Sequence, residues 1–235
     1  MFKREHHIKI MSILQALDSE CLVSNRCYFG GGTAIVLSHR EYRESLDLDF
    51  LTSDPVGYRT LRQRMTGSRG MRSVVRSGYE LDAKGEVRAD QYGIRTLIAV
   101  GGAEIKFEVV FEGRIPLDEP SPDDRICNIA TLKPLDMAAS KLLANSDRWS
   151  DDGVFSRDLI DLAMLELPKP IVAQAKKKAT MAYGDSVERD LNRAITRLAE
   201  RTGRLDECMS ALKMDGVPKA LLWSRIRKLK SRSRT

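Results

Sequence analysis

A chain of 235 residues, 42% hydrophobic and 31% charged, is long enough to bury a core and to form one large domain or two small ones. No apolar run reaches bilayer length, and the opening Met-Phe-Lys-Arg-Glu-His-His-Ile lacks an apolar signal core. The sequence therefore predicts a cytoplasmic protein with no membrane partner. Its four cysteines form no C-x-x-C pair, which argues against a disulfide scaffold or a thiolate zinc site, and a net charge of +6 permits an anionic partner without requiring one.

In chain order, Ile8, Met11, Leu14, Leu17 and Leu22 recur near helical spacing and predict an opening helix. Gly30, Gly31 and Gly32 predict a turn, with Thr33 as the cap of a short helix over 34–38. Residues 45–51 alternate polar and apolar, the period of a half-buried strand. Asp54-Pro55 ends it, and residues 57–66 read as helix. Short strands are predicted over 71–76, 79–83, 86–88 and 94–100. Residues 104–111, alternating and rich in β-branched and aromatic side chains, make the clearest strand. Three prolines and a cluster of acids over 116–124 predict a linker. Beyond it Pro134 opens a helix with Leu135, Ala138, Ala139, Leu142 and Leu143 on its apolar face. Ser156 is the expected cap of a helix to about Leu167, and Asp185 with Glu188 of a helix through Ala199 that Gly203 ends. A first half that mixes helix and strand and a second half that is nearly all helix predict an α+β fold with a helical appendage, divided as 1–120 and 121–235.

Asp47 and Asp49, two apart on the predicted strand, share one face, with Leu48 and Phe50 on the core side. Like charges side by side call for a cation, and hard aspartate oxygens favour Mg²⁺ or Mn²⁺. Gly31, Gly32 and Thr33 just upstream offer backbone N–H groups to outer phosphates, although no G-K-[ST] follows as in a Walker A loop. Lys106, Glu108 and Val110 share a face of the later strand. If the two strands are neighbours, Glu108 joins the aspartates; a plain ion pair with Lys106 is the structural alternative. His39 reads as a locally bonded histidine and Cys127 as a core thiol.

Gly31-Gly32-Thr33-Ala34-Ile35, then Arg43-Glu44-Ser45-Leu46-Asp47-Leu48-Asp49-Phe50, resembles the first motif of the AbiEii/AbiGii toxin-family nucleotidyltransferases. These belong to the DNA polymerase beta-like superfamily. Residues 105–109 resemble the strand carrying the family's third acid, where many superfamily members have Asp and this chain has Glu108. Asp136 to Lys141 resembles the D-x-x-x-x-K helix, and Arg157-Asp158 with Asp161 its R-D-x-x-D helix start. The resemblance implies a polymerase beta-like domain with a mixed sheet, completed by a helical domain. It implies transfer of a nucleoside monophosphate from a nucleoside triphosphate to an acceptor hydroxyl, often as the toxin of a type IV toxin–antitoxin pair. Asp47, Asp49 and Glu108 would hold metal, Asp158 would join the catalytic set, and Gly31, Gly32, Thr33, Arg43, Ser45 and Lys141 would hold the nucleotide. Some relatives modify RNA, notably tRNA ends.

Six arginines and no acid lie between Tyr58 and Gly78, and six basic residues and no acid over 221–235. Arg62, Arg69 and Arg72 are the expected RNA contacts, holding phosphates rather than reading bases. The competing reading is a non-catalytic RNA-binding module on the same fold. Against it, an acidic cluster repels phosphate and serves a pure RNA binder poorly.

Overall fold

The structure, a computed structural model, describes residues 2–230. The last basic residues of the 221–235 run lie outside them. The chain divides into two compact units, one of Met1–Glu41 and Ser45–Lys133, the other of Tyr42–Glu44 and Pro134–Thr235.

Among the described residues the first unit is built on a five-stranded mixed sheet in the order β1-β2-β5-β4-β3. The strands are β1 (Tyr28–Phe29), β2 (Leu48–Thr52), β3 (Asp82–Ala89), β4 (Gly93–Val100) and β5 (Ala103–Phe111). β2 and β5 run parallel and the other neighbours antiparallel. The register sets Leu48 beside Phe107 and Phe50 beside Val109, all four fully buried. Phe50 stacks at 5.2 Å on Phe107 and 5.4 Å on Phe29, so period-2 alternation fills the core on one face. α1 (Glu5–Ala16), α2 (Ser19–Ser24), α3 (Gly31–Ser38) and α4 (Pro55–Thr66) complete the unit with β6 (Arg125–Ile126) and β7 (Ile129–Ala130).

The structure differs from the sequence-based expectation at several points, each with a local cause. The opening helix is two helices, because the Asp18 side chain accepts from Cys21 N–H at 2.9 Å and starts α2 afresh. Its buried face holds His7, Ile10, Ile13 and Leu14, while Ile8 is 42% exposed. Residues 45–47 precede β2 instead of lying in it. The predicted strand over 71–76 is a 3₁₀ turn, Gly70–Val74. Of those over 79–83 and 86–88, residues 79–81 are not strand and the rest belong to one strand, β3, irregular between Lys84 and Arg88 where Gly85 takes φ +71°. Cys127 is half-buried in the β6–β7 turn, where it and Asn128 both take positive φ, as a two-residue hairpin turn requires. That hairpin keeps the chain in the first unit beyond the prolines. Thr131 bridges to Phe29 and Leu132 N–H donates to the Phe29 carbonyl at 2.9 Å, so the division falls after Lys133 instead of at 120/121.

The second unit holds α5 (Pro134–Arg148), α6 (Arg157–Met164), α7 (Lys169–Tyr183), α8 (Ser186–Glu200), α9 (Arg204–Ala211) and α10 (Lys219–Lys228). α5 packs against α6, α7 and α8 over a core that includes Ala138, Leu142, Ile160, Ala175 and Leu191. Neither expected cap forms: Ser156 and Asp185 make no side-chain cap bond, and Glu188 pairs with Lys176 instead.

Candidate active site

In the first unit the chain turns at Gly30, whose N–H donates to the Asp49 carbonyl at 2.8 Å. α3 begins at Gly31, two residues before the expected cap. Gly31 takes φ +65°, and a Cβ there would lie 2.8 Å from the Asp49 Cβ. Glycine is required on both counts: the conformation is left-handed, and the backbone presses directly on the Asp49 side chain. Thr33 thus sits in the first turn, 1% exposed, and its hydroxyl braces the neighbouring segment. Thr33 Oγ1 lies 2.5 Å from the Asp47 carbonyl oxygen and 2.7 Å from Ser45 Oγ. A carbonyl only accepts and a hydroxyl has one proton, so Thr33 donates to Asp47 and accepts from Ser45.

The β2–β5 register places Asp49 directly beside Glu108. Neighbouring positions on adjacent strands point to the same face, so the two strands bring these acids together as the alternation predicts. The answer to their repulsion lies on the same strands. Lys106 Nζ is 2.5 Å and Arg95 Nε 2.6 Å from the Glu108 carboxylate. Burial alone would lower the Lys106 pKa; the bond to Glu108 overturns this, and the charges of Asp49 and Asp47 push it further up. The Lys106 ammonium is therefore a resident cation bonded to Glu108. Lys106 shares the Glu108 face in the sequence, so its pairing was visible there; Arg95 needed the β4–β5 register.

The donor set suits a hard divalent cation in kind, since every candidate atom is a carboxylate oxygen. Among the described residues, however, no group of three or more carboxylate, histidine or cysteine side chains could hold a metal ion. Asp47 and Asp49 keep the chemistry for one, while Glu108 is engaged by two cations.

The remaining candidates, Arg43, Lys141 and Asp158, lie together in the second unit. Asp161 accepts from Arg43 Nε at 2.7 Å and Nη2 at 2.8 Å, and from Tyr42 Oη at 2.6 Å. Lys141 Nζ bridges Asp161 at 2.7 Å and Asp158 at 2.9 Å. Arg148, two helical turns after Lys141, grips Asp158 through Nε at 2.6 Å and Nη2 at 2.9 Å. Burial would push both aspartates up in pKa; the charges of Lys141 and Arg148 hold Asp158 well below the usual carboxylate range, and those of Arg43 and Lys141 lower Asp161. Lys141 is 7% exposed, which sets aside the solvated lysine that its helix position suggests. Asp136 of the same helix is fully buried and pairs with Lys178. Tyr42 and Arg148 carry no sequence signal beyond their residue types. His39 bonds its own helix through Nδ1, 2.9 Å from the Ile35 carbonyl, as expected.

Arg62 is half-buried in α4, 3.4 Å from the Asp90 carbonyl, and Arg69 and Arg72 are exposed. The latter two line a cavity of about 1200 Å³ in the first unit that also receives Glu80, Asp82 and Glu86.

The family model described as "Nucleotidyl transferase AbiEii toxin, Type IV TA system" matches residues 12–227. No curated protein matches the chain. Among solved structures, JHP933 from Helicobacter pylori is similar at 14% identity and a TM-score of 0.50, over 98% of this chain and 94% of its own. A candidate nucleotidyltransferase from H. pylori is 17% identical over 97% of each chain, with a TM-score of 0.48.

Proposed function

Because the chain belongs to the AbiEii family of nucleotidyltransferase toxins of type IV toxin–antitoxin systems, we propose that it moves a nucleoside monophosphate from a nucleoside triphosphate to an RNA hydroxyl. The observation that carries this reading is Asp49, packed on the glycine that opens α3 and set beside Glu108. Membership of a transferase family sets aside the non-catalytic RNA module, and a cognate antitoxin is the expected partner.

In this reading the first-turn N–H groups of α3, at Gly31, Gly32 and Thr33, take the outer phosphates, which the helix N-terminus favours. Asp47 and Asp49 would hold Mg²⁺ or Mn²⁺, which supplies charge neutralisation at the phosphates when bound. Lys106 donates to a phosphate oxygen from its place beside Glu108. Glu108, released by Lys106 as phosphate competes for that ammonium, accepts the proton of the attacking hydroxyl. Attack on the α-phosphorus forms the new ester bond and breaks the bond to pyrophosphate. Ser45 steadies the loop before β2. Arg43 and Lys141 are proposed nucleotide ligands by their family motif, and Asp158, held by Lys141 and Arg148, is proposed for the catalytic set. Arg62, Arg69 and Arg72 hold the RNA backbone.

The test incubates the full chain with each α-labelled triphosphate, Mg²⁺ and pooled RNA. Label should enter RNA with the wild type and fall by about 100-fold or more with Asp49→Ala, the scale of removing a transition-state charge partner. A folded Asp49→Ala protein that labels RNA at the wild-type rate overturns the reading.

A further inference from the structure

The opening helix holds a histidine that the transfer site does not itself use. His7 on α1 is fully buried, an unusual place for an imidazole without a task. Its Nε2 accepts the backbone N–H of Ser45 at 3.1 Å, and its Nδ1 lies 2.9 Å from the Glu41 carboxylate. An amide can only donate, so Nε2 is bare and the ring proton sits on Nδ1, donated to Glu41. Glu41 is itself pinned, accepting the backbone N–H groups of Lys3 at 2.7 Å and Arg4 at 3.1 Å. Arg40 and Glu41 hold consecutive left-handed conformations, φ +60° and +53°, a strain that these bonds offset. Beyond Ser45 the chain of bonds continues through its hydroxyl to Thr33 and from Thr33 to the Asp47 carbonyl. A continuous line of hydrogen bonds thus joins a carboxylate remote from the reaction to the backbone of Asp47.

We propose that His7 is a positioning residue for nucleotidyl transfer: its neutral Nδ1–H tautomer fixes residues 45–47 and so aims Asp47 and Asp49. A proton added at Nε2 would face the Ser45 N–H, donor against donor, and release the segment. The ionisable groups facing His7 are Glu41, Arg4 and His6. Burial lowers the His7 pKa from its ordinary 6.5, against the raising effect of Glu41, while Arg4 and His6 lower it further. His6 does not share the sensitivity: its Nε2, 3.0 Å from the Leu46 carbonyl, donates whether the ring is neutral or charged.

The inference rests on the transfer reading, and the experiment separates the two. Wild type, His7→Gln and His7→Leu are compared from about pH 8 to about pH 5, the range in which histidine titrates. One measurement follows the amide resonances of residues 45–49 in the protein alone; the other follows pyrophosphate released from the four triphosphates with Mg²⁺ and pooled RNA. In the wild type the amides should move together with the His7 ring, and turnover should fall about tenfold beyond any loss seen with His7→Gln. Gln keeps an acceptor near the Nε2 position but does not titrate, so its amides should stay still and its turnover should persist at acid pH. His7→Leu should lose about tenfold at every pH. Glu41→Gln, which keeps the ring in place, should shift the amide titration to lower pH and serves if His7→Leu does not fold. Amides that ignore the His7 titration overturn the positioning role, as does a His7→Leu protein with wild-type turnover. A wild type that releases no pyrophosphate overturns the transfer reading alone, while the amide titration still decides the role of His7.

Discussion

At the residue scale, Lys106 has two readings that one side chain combines. It neutralises Glu108 at 2.5 Å, which makes it a competitor for any cation that Glu108 would help to bind. Lys106→Met removes that competitor while keeping an apolar stem of similar length. Mn²⁺ affinity, read by electron paramagnetic resonance, should rise about tenfold, the equivalent of about 1.4 kcal/mol. Unchanged Mn²⁺ affinity in a folded Lys106→Met protein would show that the ammonium does not guard the carboxylates. Like-charge crowding was evident from Asp47 and Asp49 in the sequence, and so was the need for a cation. That the cation comes from the same strand face as Glu108 is a matter of side-chain reach, which spacing constrains but does not decide.

At the scale of elements, period-2 patterning identified β2 and β5 and the burial of Leu48, Phe50, Phe107 and Val109. Their parallel register, which sets Asp49 beside Glu108, depends on pairing between segments far apart in sequence and was available only as a condition. α7 was hard to read for a different reason: its buried residues are the alanines Ala175 and Ala179, too small to mark an apolar stripe among lysines. The ion network of α5 and α6 was legible only as separate charges. Its two carboxylates and three cations are almost wholly buried, apart from Arg148, so each depends on its partners. Arg43→Ala leaves Asp161 short of its bidentate partner and should cost about 3–5 kcal/mol in urea unfolding. Because Asp158 and Asp161 have pKa values below the ordinary 3.8, the stability they contribute is complete above that pH and is lost as the pH falls below it. Asp161→Asn should therefore flatten the acid limb of a stability–pH profile; an unchanged limb would place the acid sensitivity elsewhere.

At the scale of the whole molecule, the positive charge is unevenly placed. The arginines of residues 59–76 belong to the first unit, and Arg225, Arg227 and Lys228 end α10 in the second. The first group is not a continuous stripe, since α4 ends at Thr66 and a 3₁₀ turn carries Arg72, 4.0 Å from Glu80. Replacing Arg62, Arg69 and Arg72 together with Gln should weaken RNA binding about tenfold near physiological salt. The slope of log affinity against log salt should shrink by about two to three, with triphosphate affinity intact. The same salt slope as the wild type would remove these arginines from the RNA path. The α+β class and the change from a mixed first half to a helical second half were both readable from periodicity. The unit boundary was not, because prolines mark a turn in the chain without revealing that the next hairpin returns to β1.

The assignment of Tyr42–Glu44 to the second unit has a consequence during synthesis. Arg43 leaves the ribosome 118 residues before Asp161, the carboxylate that holds its guanidinium. At about 5–20 residues per second, that interval is on the order of 6–24 s. Lys133, the last residue of the first unit, is translated within it. The sheet, the glycine turn and both aspartates can therefore assemble while the three-residue insert still lacks its anchor. A nascent chain stalled before α6 would present Arg43 without its carboxylate partner, and its release from that state is timed by translation.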